Sequence, residues 1–126
     1  MRIAASTNTG GLEDKITPVF GRAPSFTIVE VQGDKFSAEI VRNTSAARGG
    51  GAGIAASQTL VDKNVEVLLT GNVGPNAIDV LNAAKIKIYK ADGFTVREAI
   101  ERYLNGELEE ITTPSRPMMG RGRRFR

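Results

Sequence analysis

The chain has 126 residues, 40% of them apolar, which suffices for one core and one domain. It has no histidine for acid–base work near neutral pH and no cysteine for a thiolate nucleophile, a disulfide or a cluster ligand, so enzymatic activity has little support. The net charge of +3 and pI of about 9.5 mislead as a nucleic-acid signal, because five of the 17 basic residues lie in Pro114–Arg126, leaving 12 basic against 14 acidic residues before it.

Arg2–Ser6 (RIAAS) is a short apolar run and reads as a buried strand. Thr7–Pro24 is irregular and of a length that usually serves a site. Ser25–Val31 (SFTIVEV) and Lys35–Val41 (KFSAEIV) alternate apolar and polar residues around Gln32-Gly33-Asp34, which predicts a β-hairpin. A small-residue helix is expected from about Gly53 to Lys63. Val65–Thr70 (VEVLLT) has the pattern of a strand buried on both faces. Pro75 suits the first position of a helix reaching about Ala84, and Ile86–Lys90 is a further strand. Thr95 and Glu98 have capping-box spacing, Val96, Ala99, Ile100, Tyr103 and Leu104 make an apolar stripe, and Gly106 can end that helix. The tail PSRPMMGRGRRFR has no apolar period and is expected to be disordered.

This order predicts an α/β fold with three α/β/α layers. The expected sheet is mixed and five-stranded, in the order 3-2-1-4-5, with strand 2 antiparallel and right-handed crossovers. Strands 1, 3, 4 and 5 then point the same way, and the winding reverses between strands 1 and 4. Open α/β sheets bind ligands at such a point. The loops Thr7–Pro24, Asn43–Ala52, Gly71–Gly74 and Asp92-Gly93 should meet there. Two of them lead into helix N-termini, each with about half a positive charge and unpaired N–H donors. With Arg22 and Arg48 on the rim, the expected guest is an anion.

The loop RGGGAGIAAS (Arg48–Ser57) satisfies G-x-G-x-x-A through Gly51, Gly53 and Ala56. A dinucleotide site needs a tight strand-to-helix turn and an acidic residue ending the next strand; here the loop is long and that strand ends in Thr70-Gly71. Nor does a Lys-Ser/Thr pair follow the glycines, as a phosphate loop requires. The glycines either bare the backbone for a ligand, or act as a flexible joint, or permit close helix packing.

Pro18–Phe26 (PVFGRAPSF), Gly49–Tyr89 and Thr95–Leu108 (TVREAIERYLNGEL) resemble the dinitrogenase iron–molybdenum cofactor biosynthesis family, which includes nitrogenase accessory factor-like proteins. The resemblance covers about residues 1–111 and implies a ribonuclease H-like α/β motif. It further implies non-covalent handling of an anionic metal–sulfur (iron–molybdenum-type) cofactor or precursor. By motif position, Phe20, Gly21 and Arg22 match the F-G-R element, Gly51 and Gly53 the A-G-I loop, and Gly71, Gly74, Pro75 and Asn76 the T-G-x-x-G-P-N turn. Many relatives carry histidine just before F-G-R, where this chain has Val19, and histidine or cysteine in the glycine loop or tail. The implied cluster is therefore held without His or Cys ligands, by N–H donors and guanidinium groups. The sequence does not name the ligand.

Arg22 and Arg48 are either anion clamps or exposed arginines paired with carboxylates. Asn72 and Asn76 can donate amide hydrogen bonds to a ligand, although Asn72 is also an ordinary turn residue. Met118 and Met119 are soft enough for Cu(I), but two methionines in a tail more often bind nothing. No catalytic set and no metal-ligand set is expected. Strand 1 lacks the acid that a ribonuclease H-type nuclease would need. The ligand-binding candidates are thus Phe20, Gly21, Arg22, Arg48, Gly51, Gly53, Gly71, Asn72, Gly74 and Asn76. The expected protein is non-enzymatic and cytoplasmic, with a domain at 1–111 and a basic tail at 112–126. Its expected partner is a small anionic ligand or a metal–sulfur cluster; the alternative is an interaction module engaging an acidic protein through the arginine tail. No specific nucleic acid is expected, since only Phe125 offers stacking there, and no membrane, since no run reaches roughly 20 apolar residues.

Overall fold

The computed structural model describes residues 1–44 and 51–114. Arg48, Met118, Met119 and the tail arginines, with the readings attached to them, lie outside the described residues. Alternating side chains along the strands give one sheet two apolar faces. Strands β1 (Arg2–Thr7), β2 (Ser25–Gln32), β3 (Lys35–Arg42), β4 (Val67–Thr70), β5 (Lys87–Lys90) and β6 (Glu109–Glu110) stand in the order β3-β2-β1-β4-β5-β6. Strand β2 is antiparallel to both neighbours, and β4 and β5 run parallel to β1.

Ala4, Phe26, Ile28, Leu68 and Ile88 bury one face beneath α1 (Ala52–Asp62) and α2 (Pro75–Ala83). Ile3, Ala5, Val29, Val67 and Leu69 bury the other against α3 (Val96–Leu104). The α/β class and its three layers are as the sequence predicts. One strand is added: β6 pairs antiparallel with β5, making six strands among the described residues instead of five. Its two exposed glutamates carry no apolar period, so nothing in the sequence marks them as a strand. Ile111, just beyond, packs on the α1–α2 side, and its N–H donates to the Ile88 carbonyl at 2.7 Å.

Helix α3 is capped as its spacing predicts, with Thr95 Oγ1 accepting from the Glu98 N–H at 3.1 Å. Its stripe is shorter than expected. Val96, Ala99 and Ile100 are buried, whereas Leu104, one turn later and at the helix end, is 49% exposed.

The segment between β1 and β2 is stitched along the sheet's C-terminal edge. Thr17 N–H donates to Ser6 O, Ile16 N–H to Phe94 O, and Phe20 N–H to Asn72 O at 3.0 Å. Asp14 organises its first half, its carboxylate accepting from the N–H groups of Asn8 (2.8 Å), Gly10 (2.9 Å) and Lys15 (2.9 Å). Partial burial alone would raise this carboxyl, but the hydrogen bonds from Gly10, Asn8, Lys15 and Thr9 outweigh it and hold the group below its ordinary 3.8. A lowered folded-state pKa means stabilisation present above the unfolded value and lost as pH falls through the folded one. Asp14→Asn is expected to cost about 1–2 kcal/mol at neutral pH by denaturant unfolding. The gap from the parent chain should close in acid, as Asp14 itself becomes protonated.

Candidate functional site

The loop after β4, the starts of α1 and α2 and the loop Val19–Arg22 line one cavity of about 260 Å³. That is room for several waters or a compact polyatomic ion, a water's share of liquid volume being about 30 Å³. Loop Gly71–Gly74 carries the chain from β4 into α2, and Gly51 leads into α1. A larger hollow of about 490 Å³ lies beside Ile40 and Arg42, but no helix starts in it.

Of the ten candidates read from the sequence, eight line this cavity: Phe20, Gly21, Arg22, Gly51, Gly53, Asn72, Gly74 and Asn76. Arg48 lies outside the described residues. Gly71 is close by but buried, and it does not line the cavity. A Cβ there would collide with the Pro18 carbonyl, which accepts from Asn72 N–H at 2.6 Å. Its role is to let two backbones touch. Asp92-Gly93 does not join the site either. Gly93 N–H bonds back to Ile16 O, Lys90 Nζ pairs with Asp92 at 2.9 Å, and the turn borders a separate shallow hollow.

The cavity glycines divide by physical role. A Cβ on Gly21 would lie 3.1 Å from both Cα and N of Gly53, and one on Gly53 would lie 3.2 Å from Ala77 Cβ. These two permit close packing of the loop on α1 and of α1 on α2. A Cβ on Gly51 or Gly74 would meet nothing within 4 Å among the described residues. Gly51 is also left-handed (φ 89°), a conformation other residues adopt at a cost. Of the readings the sequence left open, close packing therefore describes Gly21 and Gly53, and a bared backbone remains open only at Gly51 and Gly74.

The electrostatics follow from the helix starts. Among the described residues neither α1 nor α2 has a side-chain cap, and neither has an acidic residue in its first turn. Pro75 has no N–H, so the first-turn donors of α2 at the cavity are Asn76 and Ala77; those of α1 are Ala52, Gly53 and Ile54. Helix α3 starts away from the cavity and has both a cap and Glu98. Arg22, Asn72 and Asn76 stand exposed on the rim. Among the described residues no three of His, Cys, Asp or Glu gather as a metal-binding group. The arrangement offers positive potential and N–H donors to an anion, without ligands for a bare cation.

Sequence reasoning passed over Asn43 and Ile54, and noted Val19 only as the residue standing where many relatives carry histidine. Asn43 follows β3, is 7% exposed, and donates from Nδ2 to the carbonyls of Ala23 (2.8 Å) and Gly21 (3.4 Å). Its own N–H donates to Pro24 O at 2.9 Å, so it clamps the loop that presents Arg22. An asparagine directly after a strand is the only available signal, and it reads equally as a turn. Asn43→Ala should cost about 1–3 kcal/mol in denaturant unfolding and shift the amide resonances of Gly21–Ala23. Gly71→Ala should cost about 1–3 kcal/mol by overpacking against Pro18, read in the same unfolding experiment.

Comparison with known proteins bears on the family and the fold. A family described as dinitrogenase iron-molybdenum cofactor matches residues 1–106. An uncharacterized Methanocaldococcus jannaschii protein is 32% identical over 99 residues, 78% of this chain and 84% of its own. The apo form of the orange protein from Desulfovibrio gigas is 40% identical, with a TM-score of 0.84 over 91% of this chain and 96% of that one. A Thermotoga protein reported as a candidate NifB protein of the DUF35 family is 38% identical, with a TM-score of 0.78 over 93% of this chain and 98% of its own. With most of the chain matched at this level, this protein belongs to the dinitrogenase iron–molybdenum cofactor family.

Proposed function

We propose that this protein is a non-enzymatic carrier, in the cytoplasm, for an anionic metal–sulfur cofactor or its precursor, held in the cavity between Val19–Arg22, α1 and α2. Residues 1–111 form the carrier domain, with 112–126 a separate basic tail. The observation that carries this reading is the pair of helix starts opening on one cavity beside Arg22, acid-free in their first turns and uncapped among the described residues, while α3 is capped. Two helix N-termini and a guanidinium together favour a polyvalent anion, each by a charge-assisted contact. The family and the relatives named for nitrogenase cofactor chemistry support a metal–sulfur cargo.

The cargo brings its own sulfur ligands to its metals, which fits a chain without histidine or cysteine. The protein's part is to supply N–H donors to sulfur and a guanidinium to the net charge, and to let go when a receiving protein offers covalent ligands. No bond within the cargo need be made or broken here.

Anaerobic mixing with tetrathiomolybdate, alone or with copper or iron sulfide, followed by desalting and absorbance, tests the reading. A chromophore that stays with the protein, and about tenfold weaker retention in Arg22→Ala, is the expected result. Loss of all colour on desalting the parent chain would contradict it.

A further inference from the structure

We infer that Val19 and Ile54 set the anion selectivity of the cavity, favouring a large, weakly hydrated thio-anion over an oxyanion of the same charge and shape. This rests on the carrier reading and goes one step past it, from charge to the kind of anion. Among the described residues five large apolar side chains are notably exposed: Met1, Val19, Ile40, Ile54 and Leu104. Two of them, both 42% exposed and more than thirty positions apart in sequence, line this one cavity.

Neither belongs to the core. Helix α1 buries Ala52, Ala56, Ser57 and Leu60, and Ile54 falls off that face. Val19 is held at the mouth by its backbone pairing with Asn72, and the neighbour that enters the core is Phe20, which packs on Phe26 with ring centroids 5.3 Å apart. The chain thus turns one residue inward and leaves an apolar one at the rim, where a purely electrostatic anion site would place another donor.

An oxyanion concentrates its charge on small oxygens and binds water strongly. On entering between two apolar side chains it loses hydrogen bonds that valine and isoleucine cannot replace. A thio-anion spreads the same charge over larger, polarisable sulfurs, loses less hydration, and gains dispersion contacts with those side chains. The amide donors and Arg22 attract both. The apolar pair separates them, by penalising one as much as by welcoming the other.

Molybdate and tetrathiomolybdate, tetrahedral dianions of one metal, make the test. Each is titrated calorimetrically into the full chain, into Val19→Ser/Ile54→Ser, and into Val19→Ile/Ile54→Leu. The parent chain is expected to prefer tetrathiomolybdate at least about tenfold. The serine pair should cut that preference about tenfold, chiefly by weakening tetrathiomolybdate, and the apolar pair should keep it. Thermal unfolding should barely change in either, since both positions are exposed. An unchanged preference in the serine pair, or equal binding of the two anions by the parent chain, overturns this inference and leaves the carrier reading standing. Binding of neither anion by the parent chain overturns both.

Discussion

The loop Val19–Arg22, α1 and α2 meet at Gly21, Gly53 and Ala77, and the candidate site depends on how closely they meet. A Cβ on Gly21 would press on Gly53 at 3.1 Å, and a Cβ on Gly53 would press on Ala77 at 3.2 Å. Absent side chains at these points let the loop settle on α1 and bring the starts of α1 and α2 together. Ser57 reinforces the approach from inside, donating to Gly53 O at 2.8 Å and lying 3.4 Å from Ala77 O. Two like partial charges are thereby held side by side. Adjacent like partial charges repel each other and are relieved by an anion, which is why we propose an anion for this cavity.

The rest of the fold serves that approach. Parallel pairing of β1 with β4 places the reversal of winding beneath the cavity, and the buried hydroxyls of Ser6 and Thr70 bond across it at 2.7 Å. Asn72 holds the loop from one side, and Asn43 from the other. Ion pairs contribute little to this. Those such as Lys63–Glu39 and Arg97–Glu13 lie on the solvated surface, where each is worth about 0–1 kcal/mol.

Much of the fold was legible because periodicity reports burial directly. SFTIVEV and VEVLLT declare their strands, Pro75 and Thr95 their helix starts, and the strand order follows from chain connectivity. The two-residue β6 was not legible, since Glu109 and Glu110 pair only through backbone. The cavity's location was also readable, because topology gathers loops at one edge. What each glycine does was not. Gly71 and Gly53 look alike in sequence, and only the neighbours opposite them, Pro18 and Ala77, give them different tasks. Ile54 escaped for a related reason: an apolar residue reads as core until its exposure is seen, and Val19, noted only as standing in place of histidine, hid its exposure in the same way.

The central claim is that first-turn amides of α1 and α2 contact the anion, and an amide NMR titration with tetrathiomolybdate addresses it most directly. The largest shifts should fall on Gly53, Ile54, Asn76 and Ala77, with the capped first turn of α3 unmoved. Shifts concentrated elsewhere, with those four amides silent, would contradict the account.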